Sequence, residues 1–258
     1  METASGDKWR KALEAWSIPQ EILNQAPENP WIHPPALFQI PQEIENSPSH
    51  MRAREALSVD ASVLDIGCGG GIASFALVPE VKKVIGVDHQ PEMLEMYSEN
   101  AMKRNLICET FEGFWPQIPQ QVPKADVVVS HHVVYNVQKI EEFLLECTNH
   151  ARNRIVIEMP QQHPLAVSSD LWIHFWKIQR PETPTPFDLV KVLNDLNIDA
   201  QLELWEGRMR QEVDLEEMAH FSRIRLCLPQ SKEPEVLDIL KEKPPSEVRK
   251  LATIWWDI

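Results

Sequence analysis

The stretch from residue 63 to 71 reads Val-Leu-Asp-Ile-Gly-Cys-Gly-Gly-Gly, and it constrains the fold more than any other part of the chain. An apolar strand pattern runs into Asp65, and four of the chain's eight glycines follow at positions 67, 69, 70 and 71. Because glycine has no Cβ, such a loop can turn sharply and let a ligand approach the backbone closely. The spacing is not the dinucleotide fingerprint Gly-x-Gly-x-x-Gly, since Ile72 stands where that pattern has its last glycine.

A second acidic residue follows at the spacing that a nucleoside site requires. The apolar run 83–87 predicts a strand that ends at Asp88, which lies 23 residues after Asp65. An acid about 20 residues beyond a glycine loop, at the tip of the next strand, can accept hydrogen bonds from both ribose hydroxyls. The predicted order is strand, glycine loop, helix, strand, acid, helix. This order predicts a ligand at the carboxyl ends of parallel strands.

Three motifs, VLDIGCGGGIAS, VIGVDHQPEML and ADVVVSHHVVYNV, occur in the order and spacing of one family. The chain resembles the class I S-adenosylmethionine-dependent methyltransferases over roughly residues 60 to 160. The most similar subgroup is the small-molecule type that includes the ubiquinone-pathway O-methyltransferases. The resemblance implies an α/β fold with a doubly wound, seven-stranded, mostly parallel sheet whose last two strands pair antiparallel. It also implies S-adenosyl-L-methionine as the cofactor.

The resemblance implies roles for the residues at the ends of the first two strands. It places Asp65 near the methionine amino group of the cofactor, with Gly67 and Gly69 in the loop that surrounds it. Asp88 is expected to bind the ribose, with His89 beside it. Asp65 has a second interpretation, as a strand end that bonds the loop amides, and the two roles are compatible.

Glu112, Phe114 and Trp115 follow the predicted third strand, where the family edges the adenine ring. An acid commonly accepts a hydrogen bond from the adenine amino group, but Phe114 occupies the corresponding position here. We therefore expect Phe114 or Trp115 either to stack on the adenine or to pack in the core.

The candidates for catalysis follow the fourth strand. In the family, the transferred methyl group and its acceptor lie near this strand end, which here carries Ser130, His131, His132 and Tyr135. Ser130 is expected at the cofactor, one histidine to act on the acceptor, and Tyr135 to orient it. Adjacent side chains in extended backbone face apart, so at most one ring should face the pocket, and His132 is favoured. No third metal ligand accompanies the two histidines, so no metal site is expected.

The chain divides into two predicted regions. Residues 1–49 read as an N-terminal helix followed by a proline-rich arm, whose aromatic residues Trp31, His33 and Phe38 either pack on the core or form a lid. Residues 50–258 form the S-adenosylmethionine-binding methyltransferase domain, with helical insertions near 160–187 and 208–245. The first insertion carries three aromatic residues that either line the acceptor side or pack the extra helices, namely Trp172, Phe175 and Trp176.

Composition and charge argue against nucleic acid and membranes as partners. The net charge of −14 disfavours binding to phosphate backbones, so we expect no nucleic acid partner. No apolar run approaches the ~20 residues of a membrane span, so we expect no membrane partner. The four cysteines form no C-x-x-C pair, which favours reduced thiols and a cytoplasmic location.

The predicted function is methyl transfer from S-adenosylmethionine to a small-molecule acceptor whose accepting atom the sequence leaves open. Two alternatives remain at this point. One is a non-catalytic S-adenosylmethionine-binding or scaffold protein, and the other is an RNA or protein methyltransferase. The oligomeric state also remains open.

Overall fold

The fold is built on one seven-stranded sheet. The structure is a computed structural model, and it describes residues 2–31, 44, 46–208, 214–244, 246 and 248–258. The strands, in chain order, are β1 (Ala61–Ile66), β2 (Val81–Asp88), β3 (Ile107–Glu112), β4 (Ala125–His131), β5 (Ala151–Pro160), β6 (Gln201–Arg208) and β7 (Val248–Asp257). Their spatial order is β3-β2-β1-β4-β5-β7-β6.

Strand direction confirms the fold that the sequence predicts. The pairs β1–β2, β2–β3, β1–β4 and β4–β5 are parallel, whereas β7 runs antiparallel to both β5 and β6. The strand order reverses between β1 and β4, because β2 and β3 continue on one side and β4 and β5 on the other. In open α/β sheets a ligand binds in the crevice at the carboxyl ends of the strands beside such a reversal.

Ten helices cover the sheet in the described part of the chain. In chain order they are α1 (Ala4–Glu14), α2 (Gln20–Leu23), α3 (Pro48–Arg54), α4 (Ile72–Phe75), α5 (Pro91–Lys103), α6 (Ile140–His150), α7 (Ser169–Trp176), α8 (Pro186–Asp195), α9 (Leu215–Arg225) and α10 (Glu233–Glu242). Helices α1, α6 and α8 pack together on one face, and α3, α4 and α5 lie on the other. Coverage on both faces explains why β4 and β5 carry continuous apolar runs, 127–129 and 155–157, which are fully buried.

The N-terminal helix belongs to the main core. Trp9 and Leu13 of α1 are buried in the same cluster as the inner side chains of α6 and α8. Trp9 also donates a hydrogen bond from Nε1 to the backbone oxygen of Val137, at 2.9 Å. The aromatic residues predicted for a lid are His33 and Phe38, which lie outside the described residues, and Trp31, which is exposed.

The helix after the glycine loop is shorter than the sequence predicts. The apolar pattern predicts a helix over 70–78, whereas α4 covers only Ile72–Phe75 and continues as turns. Gly71, with φ of 97°, precedes α4 in a left-handed conformation that excludes it from the helix. At the other end, Val78 precedes Pro79, and a residue before proline is disfavoured in helical conformation.

The two insertions pack mainly against each other. Helices α2, α7, α9 and α10 contribute to a third apolar cluster, and α9 and α10 lie between β6 and β7 in the chain, as expected. Trp172, Phe175 and Trp176 all pack in this cluster, and Trp176 donates from Nε1 to the backbone oxygen of Leu226 at 2.8 Å. Of the second insertion, residues 209–213 and 245 lie outside the described residues.

Within the described ranges, the structure contains no helix that is both long enough and apolar enough to cross a bilayer.

Candidate active site

The candidate residues meet at the carboxyl edge of the sheet. Strand pairing sets Asp65 level with Gly86 of β2, and Asp88 opposite Glu112 of β3. At the other side of the reversal, His131 at the end of β4 lies opposite Glu158 of β5. The fold therefore brings together residues that are up to about 90 positions apart in the chain.

The glycine loop is fastened to the end of β2 and adopts backbone angles that favour glycine. The N–H groups of Gly67 and Cys68 both donate to the backbone oxygen of Val87, at 2.8 and 3.1 Å. Gly67 has a φ of 70°, and a Cβ there would lie 2.4 Å from a methyl group of Val133. Gly69 has a φ of 49°, but a Cβ there would meet no atom within 4 Å. Gly67 is thus required for packing, whereas Gly69 leaves space through which a ligand can approach the backbone.

Asp88 is oriented by two backbone N–H groups. Its Oδ2 accepts from Gly69 N and its Oδ1 accepts from Gln90 N, each at 3.0 Å, and the residue is only 8% exposed. An ionised carboxylate has about four acceptor positions, so Oδ2 keeps one for a further donor, whereas Oδ1 also has His89 Nδ1 3.5 Å away. A carboxylate held in this way beside the glycine loop fits the vicinal hydroxyl groups of a ribose.

Asp65 is buried, and its carboxyl group changes protonation near neutral pH. Its Oδ2 accepts a 2.7 Å hydrogen bond from Ser74 Oγ, which in turn lies 2.8 Å from the hydroxyl of Tyr97. Burial, more than the nearby charge of Asp88, raises the pKa of Asp65 to about 7. A cationic amino group beside Asp65 would stabilise its ionised form, so the position fits the role that the resemblance implies.

An exposed aromatic pair stands where the adenine ring is expected. Phe114, which is 57% exposed, stacks on His89 with ring centroids 4.6 Å apart and an interplanar angle of 21°. Trp115 is buried, packs edge-on against His150 and belongs to the main core. Of the two aromatic candidates, Phe114 is therefore the one that can offer a face to a ligand, namely the face that does not stack on His89. Glu112 is exposed at the end of β3.

His132 is held by Glu158 beyond the end of β4. The N–H of His132 donates to the backbone oxygen of Glu158 at 2.8 Å, and its Nε2 lies 3.0 Å from the Oε1 of the same residue. His132 has a φ of 63°, an uncommon conformation for a residue with a side chain, and its imidazole is 27% exposed. Arg249 places an Nη2 atom 3.1 Å from the same Nε2.

Glu158 is held in its ionised form beside His132. Burial acts to raise the pKa of Glu158, but the nearby rings of His131, His132 and His50 together hold it well below its usual range. Ser47 adds a hydrogen bond from Oγ to Oε2 at 3.1 Å. An ionised carboxylate only accepts hydrogen bonds and a guanidinium only donates them, so Nε2 of His132 bonds to Glu158 when it carries a proton and to Arg249 when it does not. In the tautomer that donates to Glu158, the lone pair of neutral His132 lies on Nδ1.

Sequence reasoning missed Glu158. It lies inside the strand predicted over 153–159, directly after the apolar run 155–157, and it is almost fully buried. Its position could have revealed it, because Glu158 follows an apolar strand segment directly, as Asp65 does, and that placement is what singled out Asp65.

The other candidates after β4 are more deeply buried than His132. The ring of His131 stacks on His50 with centroids 5.5 Å apart, and its Nδ1 is 3.9 Å from Glu158 Oε2. The hydroxyl of Ser130 donates to the backbone oxygen of Ile66 at 3.0 Å.

Tyr135 is fixed in the packing between the N-terminal helix and β5. Its ring stacks on Trp9, and its hydroxyl donates to the backbone oxygen of Pro160 at 2.9 Å. Since this bond uses the only proton of the hydroxyl, Tyr135 can take part in orienting an acceptor only by accepting a hydrogen bond from it. In the part of the chain that the structure describes, no group of His, Cys, Asp and Glu side chains has an arrangement that suits a metal ion.

Part of the chain matches a known protein family. Residues 63–154 match the family described as "Methyltransferase domain". A ribosomal protein L11 methyltransferase from Colwellia psychrerythraea is 36% identical over 88 residues, which are 34% of this chain and 29% of that protein. The chain therefore spans less than a third of the length of this curated relative.

Solved structures share the fold at low sequence identity. The YcgJ protein from Bacillus subtilis has a TM-score of 0.56 at 16% identity, over 81% of this chain and 97% of that one. A protein from Bacillus halodurans, provisionally assigned as a methyltransferase, has a TM-score of 0.56 at 17% identity, over 81% of this chain and 96% of that one. The family match shows a methyltransferase domain over residues 63–154, and the shared fold agrees with the resemblance of the motifs to the class I S-adenosylmethionine-dependent methyltransferases.

Proposed function

We propose that this protein transfers a methyl group from S-adenosylmethionine to a small-molecule acceptor. The observation that carries the proposal is the carboxylate of Asp88, held by the N–H groups of Gly69 and Gln90 beside an open face of the glycine loop. When bound there, S-adenosylmethionine supplies an electrophilic methyl group on its sulfonium.

Four side chains are suited to hold the cofactor. Asp88 accepts from the ribose hydroxyls, and Asp65 faces the amino group of the methionine part. The face of Phe114 that does not stack on His89 is suited to the adenine ring, with His89 supporting it from behind, and this contact replaces the acid that the family commonly uses. The four free cysteines agree with the cytoplasmic location that we expect for such an enzyme.

His132 is our candidate for removing a proton from the acceptor. In the tautomer that we propose, Nε2 donates to Glu158 and the basic lone pair lies on Nδ1, while the backbone oxygen of Glu158 fixes the main chain of His132. A histidine held in one tautomer is suited to general base catalysis near neutral pH. Such a base matters most for a hydroxyl acceptor, because an oxygen nucleophile must lose its proton during methyl transfer.

A protein acceptor is the main rival. The curated relatives carry a name that assigns them to ribosomal protein L11, but the aligned 88 residues cover only 29% of that relative. A match limited to the cofactor-binding part supports a shared cofactor and leaves the acceptor open. The two insertions, which pack as a separate helical cluster beside the sheet, favour an enclosed small acceptor over a protein surface.

Product release tests the proposal directly. The purified protein is incubated with S-adenosylmethionine and, separately, with a panel of phenols, hydroxy acids and amines or with ribosomal protein L11. Formation of S-adenosylhomocysteine is then measured. We expect turnover with at least one small molecule, loss of turnover in Asp88→Asn, and none with protein L11. Turnover with protein L11 alone would transfer the proposal to a protein acceptor. Cofactor binding without turnover on any acceptor would favour the scaffold alternative.

A further inference from the structure

Arg180, in the first insertion, is a buried cation enclosed by two tryptophan rings. It is 6% exposed, and its Cζ lies 5.2 Å from the ring centroid of Trp16 and 4.8 Å from that of Trp172. Its Nη1 donates to the backbone oxygen of Ser17 at 3.3 Å, and its Nη2 donates to that of Trp16. These bonds use two of the five N–H groups of the guanidinium.

The charge of Arg180 has no acidic counterpart among the described residues. No carboxylate of the described ranges forms an ion pair with it, and its buried Nε has no hydrogen-bond partner there. Arg223, a buried arginine in the neighbouring insertion, provides the contrast, because it forms ion pairs with Glu28 at 2.7 Å and with Glu233 at 2.9 Å. Buried charges are normally paired, and an arginine stays protonated at any ordinary pH. Arg180 therefore has the capacity for an anionic partner that the described residues do not supply.

Arg180 also lines a cavity of about 280 Å³ between the segment after β5 and the chain that follows α7. The lining includes the polar residues Gln162, Gln179 and Ser169 and the apolar residues Ala166 and Ile173. The exposed carboxylate of Glu182 lines the same cavity. A guanidinium flanked by neutral hydrogen-bond donors is the arrangement that recognises a carboxylate, and the volume suits a small ligand.

A short series of ring contacts connects this cavity to the carboxyl edge of the sheet. The ring of His163, one residue after Gln162, stacks on Trp16 at 4.2 Å and packs edge-on against Tyr135 at 5.1 Å. The hydroxyl of Tyr135 in turn donates a hydrogen bond to the backbone oxygen of Pro160, the last residue of β5. Burial, followed by the charge of Arg180, lowers the pKa of His163 to about 4. His163 is therefore neutral near pH 7, and Arg180 supplies the positive charge of this pair.

We propose that this cavity binds the carboxylate of a small organic acid through Arg180, and that it forms the anion-recognising part of the acceptor site. Recognition of the carboxylate stands on the cavity alone. Its assignment to the acceptor rests on the proposed methyl transfer.

Direct binding tests the carboxylate site without any cofactor. Benzoate and its neutral analogue benzamide are titrated into the full chain by calorimetry. We expect benzoate to bind at least tenfold more tightly than benzamide, and Arg180→Gln to remove this preference. Ala166→Leu, which narrows the cavity and leaves Arg180 in place, should weaken benzoate binding to a similar extent. Arg152→Gln is the control, because Arg152 is an exposed arginine at the start of β5 and should leave binding unchanged.

Two results would overturn the carboxylate site: equal binding of benzoate and benzamide by the unaltered protein, or undiminished benzoate binding in Ala166→Leu. The second variant keeps the test informative if Arg180→Gln does not fold. For the acceptor assignment, hydroxy acids are compared with their methyl esters by S-adenosylhomocysteine formation. A preference for the free acid that Arg180→Gln abolishes supports it, and equal turnover contradicts it. Benzoate binding with no turnover on any acceptor would instead count against the proposed function alone.

Discussion

Glu158 holds His132 at two points, since its backbone oxygen accepts from the His132 N–H at 2.8 Å and its Oε1 lies 3.0 Å from the His132 Nε2. The first bond stabilises a left-handed backbone conformation, and the second fixes the direction of the imidazole. A strained backbone that its surroundings hold in place is often found at functional sites. The pair therefore combines a partly exposed ring with a rigid support.

Removing either member of the pair should lower turnover without weakening cofactor binding. For His132→Gln we expect kcat to fall by roughly 10²–10⁴-fold, the range for loss of a general base. Glu158→Gln should give a smaller loss, because the ring remains but its tautomer is no longer fixed. Turnover (kcat) and the affinity for S-adenosylmethionine are both measured, the first with the acceptor that the panel identifies. Glu203→Gln, which removes a partly exposed acid of β6 that pairs with Arg52, is the control. Near-normal kcat in both variants would exclude a role in proton removal.

Replacing Asp65 should change how stability depends on pH. The pKa of Asp65 is raised from 3.8 to about 7 in the folded state, so the folded protein binds more protons than the unfolded chain between these values. The stabilising contribution of protonated Asp65 is complete below pH 3.8 and is lost as pH rises through about 7. As pH rises through that interval, the stability of Asp65→Asn should therefore increase relative to that of the unaltered protein. Urea unfolding of both proteins across the interval measures the difference, in which the opposite contribution of Glu158 cancels. Parallel stability curves would contradict the burial of an ionisable Asp65.

The glycine loop and the acids at the strand ends were predictable because their signals are local. Gly67, Gly69 and Asp88 lie within 22 residues, and the strand–loop–helix order fixes their positions on the same edge of the sheet. The limits of α4 were not predictable from periodicity, since the left-handed Gly71 precedes its first residue and turns replace the helix after Phe75, before Pro79 is reached.

The partners of the buried charges were not predictable, because they come from distant parts of the chain. Glu158 accepts from Ser47 across 111 residues, and Arg180 bonds Trp16 across 164 residues. Periodicity reports burial along one element, but the choice between Phe114 and Trp115 also depended on packing against α6, to which His150 belongs. Tertiary packing therefore decided the parts of the site that motifs left open.

Two glycines of the loop should respond differently to the same substitution. Gly67→Ala should destabilise the fold, because a Cβ would lie 2.4 Å from Val133 in addition to the strain of a φ of 70°. Gly69→Ala should cost only about 1–2 kcal/mol of backbone strain but should weaken S-adenosylmethionine binding. Thermal unfolding and cofactor titration separate the two effects. If Gly69→Ala lost as much stability as Gly67→Ala and kept its cofactor affinity, the open face would not serve the ligand.

Nucleic acid should not bind at physiological salt. The net charge is −14, and one of the few buried arginines, Arg223, is already paired with Glu28 and Glu233. Proteins that contact several phosphates lose affinity steeply as salt increases. We expect no retention of single-stranded RNA or duplex DNA in filter binding at any salt concentration. Tight binding that weakens with added salt would contradict the assignment of a small-molecule acceptor.

Calorimetric titration of S-adenosylmethionine into the unaltered protein and Asp88→Ala tests the central claim most directly. The unaltered protein should bind, and Asp88→Ala should lose about 2–3 kcal/mol of binding free energy, which is roughly 30- to 150-fold in affinity. Asp126→Asn is a matched control, because Asp126 also accepts from a backbone N–H, that of Ser62 at 2.7 Å, but lies at the opposite edge of the sheet. It should leave cofactor affinity unchanged. Absence of binding by the unaltered protein, or equal affinity in Asp88→Ala, would contradict the assignment of this edge as the cofactor site.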